Sequence, residues 1–297
     1  MKLNTSQKRL LVMGVLIVFT LSASGCRIPT DETGAIKQIT SSTTFGEIMS
    51  TESWFSAIFV WPLSQLLNWV TPKIGVGGAI ALVTVCVNLI LMAFTLKSTI
   101  ASQQMQLIQP QLEKIQRKYE GRDDDASKMR MANEMNALYK KYDVNPFSMI
   151  LVTFLQFPII IAMYQSVQRS AAIKNGTFLG LSLEQTPLAG MRNGQYLYIV
   201  IWMVMGLFQF VSMMLPQKMA EKKAKEEAEK HHRRPEKSAQ SSQNKMMQIY
   251  MMGMIMVFGL MWPTAMTVYW AINSLVTIAK TYLVQKMIEK KNEGAAA

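Results

Sequence analysis

Uncharged polar side chains set inside long apolar stretches are the groups in this chain with chemistry to offer. Thr84, Asn88 and Thr95 recur at helical offsets and fall on one face. Thr153, Gln156 and Tyr164 share a second face, with Gln165 and Gln168 beyond them. Gln209 and Ser212 mark a third stretch. Thr267, Trp270, Ser274 and Thr277 form a stripe in the last one, with Asn273 beside it. Hydroxyls and amides both donate and accept hydrogen bonds. No carboxylate lies among them, so a proton relay has no carrier. Hydrocarbon disfavours unpaired amides, so each stripe must meet another helix or water. The first option is interhelical glue, worth about 0.6 kcal/mol per contact. The second is a shared polar cavity, favoured when several helices each carry a stripe.

Other chemistries are poorly represented. His231 and His232 are the only histidines and sit in a charged loop, where a solvated pair is the expected state. No Cys/His cluster and no Gly-rich phosphate loop stands out, so no catalytic residue, metal or cofactor is expected, and no enzyme. Cys86 lies within an apolar stretch and reads as packing. Cys26 follows Lys2, Lys8, Arg9, a short apolar run over Leu10–Leu21, and Ala23-Ser24-Gly25. A basic start, an apolar run and small residues before a Cys resemble a bacterial lipoprotein signal. There the thiol takes a diacylglycerol, with acyl chains such as palmitate, and the Cys becomes the mature N-terminus. The usual Leu three positions before the Cys is Ala23 here.

The elements that carry the polar stripes are five apolar stretches, at residues 76–97, 146–168, 197–215, 246–262 and 264–285. Each has about the length a helix needs to cross roughly 30 Å of hydrocarbon at about 1.5 Å per residue. The chain is therefore expected to be an all-α integral membrane protein. Its 25 Met residues suit adaptable apolar surfaces, whether facing lipid or a variable ligand. Residues 1–25 read as signal peptide and 26–75 as a polar tether followed by an interfacial segment, Trp54–Val70, rich in Trp. Pro62 is expected to interrupt a continuous helix there.

Residues 98–145 switch to an amphipathic helical pattern. Leu107, Ile108, Leu112 and Ile115 repeat at helical spacing, then Met131, Met135, Leu138 and Tyr142 do so after Gly121-Arg122-Asp123-Asp124-Asp125. This predicts a helical hairpin. Residues 169–196 read as a loop, 216–245 as a charged loop and 286–297 as a basic tail. The net charge of +12 concentrates in the hairpin, the charged loop and the tail, and the positive-inside rule assigns these to the cytoplasm. Five spans then put Cys26 and the N-terminus outside, where a lipoprotein Cys belongs, and the C-terminus inside. Anionic lipid headgroups account for the positive charge without any specific nucleic acid.

The residues resemble a known family, the YidC/Oxa/Alb membrane protein insertases, in the lipoprotein form of Gram-positive bacteria. The likeness covers about residues 54–285. It rests on Leu91-Met92-Ala93-Phe94-Thr95-Leu96-Lys97 with Ser102-Gln103-Gln104-Met105, and on Pro110-Gln111-Leu112 with Lys118-Tyr119. Ala137-Leu138-Tyr139-Lys140, Val144-Asn145-Pro146 and Gln217-Lys218-Met219 continue it. Trp262-Pro263-Thr264-Ala265 and Val268-Tyr269-Trp270 complete it.

The resemblance implies five transmembrane helices around a hydrophilic groove, open to cytoplasm and lipid and closed outside, that inserts and chaperones membrane proteins without ATP. It implies nascent membrane proteins and membrane lipids as partners, and leaves the Sec translocon and the ribosome open. The groove would be lined by Thr84, Asn88, Thr95, Thr153, Gln156, Tyr164, Gln209, Thr267, Trp270 and Ser274. Two departures stand out. Many members carry Arg where this chain has Asn88, which hydrogen-bonds but brings no charge. Pro216 precedes Gln217-Lys218-Met219 and is expected to end the third span early. A transporter or channel subunit, or a structural membrane lipoprotein, remains the alternative, although no internal repeat of spans supports a transporter.

Overall fold

The computed structural model describes residues 28–145, 147–230 and 240–296. The signal peptide, Cys26, His231 and His232 lie outside the described residues, as does the side chain of Thr153. In chain order come α1 (Phe45–Thr51), a π-helical turn (Ser56–Val60), α2 (Trp61–Lys118), α3 (Asp125–Lys141) and α4 (Phe147–Arg169). Then follow α5 (Ala171–Lys174), β1 (Thr177–Phe178), β2 (Leu181–Ser182), α6 (Pro187–Arg192), α7 (Leu197–Lys230), α8 (Gln240–Met261) and α9 (Thr264–Ala296). The two short strands pair antiparallel, Thr177 opposite Ser182 and Phe178 opposite Leu181. Two helical stretches, Ser56–Gln106 and Leu197–Lys223, are long and apolar enough to cross a bilayer, and Gln248–Met261 is a shorter apolar helix. These spans are a property of the described residues.

Two compact units form. The first takes in the described chain from residue 28 to Val83, Leu155–Thr186 and Pro263–Met266. Its core joins Ile39, Ile48, Phe55, Ala57, Val60 and Ala162, with Trp61, Leu63 and Ile161 packed against them. The polar stretch expected to be an exposed tether is therefore packed in its described part: Ile39 and Ile48 are fully buried. Sparse apolar residues in a Thr/Ser-rich sequence hid this, because two well-placed isoleucines suffice to seat a bridged extended segment and a short helix. Thr44 caps α1, its side chain accepting from Glu47 N–H. Ile39 donates its N–H to Arg169 O at 2.6 Å and accepts from Ala171 N–H.

Asn68 ties the same turn together. It donates to Ile39 O at 2.7 Å and accepts from the Ser170 hydroxyl at 2.8 Å. Beside it, Arg169 forks both oxygens of Glu52, at 2.7 and 2.6 Å, and donates Nε to Lys37 O at 2.9 Å. Arg169 is wholly buried.

Pro62 does not break the helix. It sits in the first turn of α2, directly after the π-helical turn, where a proline without an N–H is tolerated. The real break is Gly75, at φ 74° and ψ 170° inside α2. That conformation is essentially open only to glycine, so the residue separates the Trp-rich segment from the apolar stretch that follows. On the near side of this bend Lys73 Nζ lies 3.2 Å from the Trp69 ring centre.

The second unit takes in the described residues of Thr84–Phe154, Pro187–Trp262 and the chain from Thr267. Met105, Ile108, Leu112 and Val144 form one buried cluster, with Met135, Leu138, Tyr139 and Tyr142 packed against it. The expected hairpin thus closes through its two apolar stripes. Asp124 caps α3 by accepting from Ser127 N–H. Elsewhere in this unit α7 meets α8: Trp202 donates its ring N–H to Met256 O at 2.9 Å, and a Cβ at Gly259 would collide with Met205. Pro216, expected to end its helix early, lies inside α7, which runs on to Lys230. Proline removes only one donor, and a long helix already anchored on both sides of it absorbs the loss.

Candidate functional site

The polarity of the second unit is inverted relative to a water-soluble fold. Large apolar side chains point outward, with Phe94 84% and Ile249 73% exposed, and Leu89, Ile90, Met203, Leu207 and Met254 exposed as well. Polar ones point inward, with Asn88 8% exposed and Thr84, Thr267 and Ser274 essentially covered. A soluble monomer does not leave so broad an apolar surface in water, whereas lipid accepts it and forces hydrogen-bonding groups inside.

The buried polar groups pair between helices. Asn88 of α2 donates Nδ2 to Thr84 O at 2.9 Å and to Asn273 Oδ1 of α9 at 3.1 Å. Ser274, the next residue along α9, donates to Gln209 Oε1 of α7 at 2.7 Å. Adjacent residues of α9 thus bind α2 on one side and α7 on the other. Thr267 donates to Gly259 O at 3.2 Å, and Trp270 stacks on Trp262 with centroids 5.2 Å apart and planes 18° apart. Thr95 returns its hydroxyl to Leu91 O one turn back.

The polar line does not stop there. Thr84 Oγ1, Thr99 Oγ1 and Gln106 Oε1 are buried without a partner. Nearer the ends of the same three helices, Gln103, Gln106, Pro216, Met219, Thr281 and Gln285 surround a cavity of about 10 Å³, room for roughly one water.

Eight of the residues expected to line a groove lie in this unit: Thr84, Asn88, Thr95, Gln209, Thr267, Trp270 and Ser274, with Thr153 placed there by its backbone. Gln156 and Tyr164 belong to the first unit, both half-buried. Sequence reasoning set Asn273 beside the stripe, yet it is the direct partner of Asn88. It also passed over Thr99, Gln103 and Gln106, whose spacing continues that of Thr84, Asn88 and Thr95 along α2. That signal was legible as a repeat, but it ran past the end of the apolar stretch into what read as hairpin.

Inverted polarity, all-helical stretches of bilayer length and paired amides inside define an all-α membrane protein. The model of the family described as 60Kd inner membrane protein matches residues 67–291. The chain belongs to that family, that of the YidC membrane protein insertases. It is 30% identical over 236 residues to "Membrane protein insertase MisCA" of Bacillus subtilis, covering 78% of this chain and 80% of the relative. It is 30% identical over 238 residues to "Membrane protein insertase YidC 2" of Bacillus anthracis, covering 80% and 82%. Likeness to "Membrane protein insertase YidC 1" of Streptococcus pyogenes serotype M3 is higher, 37%, over a shorter 142 residues, 47% of this chain and 50% of the relative. Membrane protein insertion is accordingly the function of this chain.

Proposed function

We propose that the chain inserts membrane proteins through a polar groove built on α2, α7 and α9, open to cytoplasm and lipid, without ATP. Five transmembrane helices, a cytoplasmic hairpin, an N-terminus outside and lipid-anchored at Cys26, and a cytoplasmic C-terminus complete this reading. The observation that carries it is the pair of contacts Asn88–Asn273 and Gln209–Ser274, which place amides and a hydroxyl between helices whose outer faces are apolar. Such groups offer a substrate's polar segment hydrogen bonds partway across the hydrocarbon. Without them each bare peptide or amide group would cost several kcal/mol. The substrate's apolar segment then moves into lipid, driven by about 25 cal/mol per Å² of apolar surface buried. Nascent membrane proteins and lipids are the partners; the Sec translocon and the ribosome are further candidates.

Asn88 supplies no charge, so attraction at that position is by hydrogen bond alone. A second reading has its own support: both pairs are already closed in the structure, which suits packing glue. The two readings part on water access. A single Cys at position 88 should react with a membrane-impermeant maleimide added from the cytoplasmic side and not from the outside. Labelling from neither side, with Cys at an exposed hairpin position labelled in parallel, would reduce the pairs to glue. Labelling from both sides would indicate a channel.

A further inference from the structure

We propose that the tip of the hairpin is a socket for one basic side chain of the substrate: the buried Glu113 carboxylate receives the Lys or Arg that flanks an apolar segment on the side kept in the cytoplasm. This rests on the topology proposed above, which puts the hairpin in the cytoplasm. A cavity of about 350 Å³ opens where α2 turns into α3. Ligand sites usually have roughly 300–1,000 Å³. Glu113 lines the cavity and is only 5% exposed, yet its Oε2 is covered without a hydrogen-bond partner, and it forms no ion pair among the described residues. A carboxylate taken out of water and left unpaired is costly, so its place here marks where a cation arrives.

The socket is preformed. Tyr119 Oη donates to Glu134 at 2.7 Å and Lys118 Nζ does so at 2.6 Å, which clamps the end of α2 to α3. Gly121, at φ 78°, makes the turn between them. Half-buried Gln116 and Met131 give the walls an amide and a flexible apolar surface, which suit the head and the stem of a long basic side chain. The exposed rim carries both signs, Arg117, Arg122 and Lys128 against Glu120 and Asp123, with Lys128 Nζ 3.8 Å from Asp123. Rim cations hold off a bare amine but donate to the carbonyls of a chain laid across them, so the ligand is a polypeptide with its cation on a side chain. A phosphate of nucleic acid or lipid would face the Glu113 carboxylate, and no group of three metal-ligating side chains exists among the described residues. Polypeptides that come to span a bilayer carry Lys and Arg on their cytoplasmic flanks, which is the chemistry the socket takes.

The test uses the full-length protein in proteoliposomes and single-span reporters that differ only in the cytoplasmic flank, which carries two Lys, two Gln or two Asp. A photoreactive residue beside the flank reports contact, and mass spectrometry maps the crosslinked site. Wild type should insert the Lys and Gln reporters and crosslink the Lys reporter to the hairpin between residues 113 and 131. Glu113→Gln should lower that crosslink and insertion of the Lys reporter by about tenfold and leave the Gln reporter within about twofold. Glu113→Lys should move the crosslink to the Asp reporter, which a merely structural role would not produce. Equal loss on the Lys and Gln reporters, no loss on either, or equal crosslinking of the two by wild type overturns the socket. So does a loss with Glu113→Gln that follows the content of anionic lipid and not the flank. Protease added from the cytoplasmic side should cut the hairpin; protection there would instead count against the topology.

Discussion

Cutting the buried ion pair of the first unit should release the N-terminal segment from its seat. Glu52 and Arg169 have side chains 3% and 0% exposed, and the contact is a two-pronged fork. Glu52→Ala removes one charge and leaves the guanidinium covered, with only Lys37 O as a remaining partner. Stranding one member of a buried pair costs about 3–5 kcal/mol. Replacing both members with apolar residues of similar length, Glu52→Met with Arg169→Met, removes the stranded charge and should cost far less.

Lys37 provides an internal control. Its ammonium stands 3.9 Å from both Glu47 and Glu52 and is partly exposed, so Lys37→Ala should cost less than about 1 kcal/mol. In detergent, Glu52→Ala should lower the apparent Tm by on the order of 10 °C. It should also speed proteolysis between residues 28 and 52, because the Ile39–Ser170 bridge next to Arg169 is lost with the pair. The reasoning fails if Glu52→Ala is no more harmful than Lys37→Ala, or if the double Met variant is as unstable as the single one.

Gly75→Ala forces a side chain into a backbone conformation suited to glycine; it should destabilise by about 1–3 kcal/mol, read as a lower Tm in detergent, and an unchanged Tm would refute the bend. In the hairpin, hydrogen bonds from Lys118 and then Tyr119 hold the Glu134 carboxyl below its ordinary 4.5, and the same Glu134 contact raises Lys118 above 10.5. The Glu134 contribution is present above 4.5 and is lost as pH falls through its depressed value; that of Lys118 is present below 10.5 and is lost as pH rises through its raised value. A spin-label distance between α2 and α3 near these residues should therefore stay narrow at neutral pH and broaden as pH falls below 4.5, and Glu134→Gln should broaden it at pH 7. An invariant distance across that range would show that apolar packing alone holds the arms. Cys26→Ala should keep the precursor mass and lose the acyl chains, whereas an intact Met1 on wild-type protein, seen by mass spectrometry, would exclude processing at Cys26.

Hydropathy and period are local properties, and what depends on them was legible in the sequence. The bilayer-length stretch after Gly75, the helix from Leu197, the hairpin arms meeting through Leu112, Met135 and Leu138, and the polar faces on separate helices could all be read there. The family followed from short motifs in order. Which polar group meets which depends on the rotation and axial offset of one helix against another, and no local pattern encodes that. Asn273, one step off its stripe, pairs with Asn88, and Gln209 of a different helix finds Ser274. The same reason hid the Glu52–Arg169 fork, whose partners are far apart in sequence and lie in stretches that read as tether and loop. Pro62 and Pro216 show the converse: the local rule named a break, and neighbouring structure overruled it because one missing donor is a small loss in a helix held elsewhere. Hydropathy and period located the long apolar helices and their polar faces, but not the helices in the segments read as tether, loop and tail, where α1, α5, α6 and the extensions of α7 and α9 form. Tertiary packing alone decided how those faces are paired, because a buried hydrogen bond needs two partners within about 3 Å, and only the folded chain brings them there.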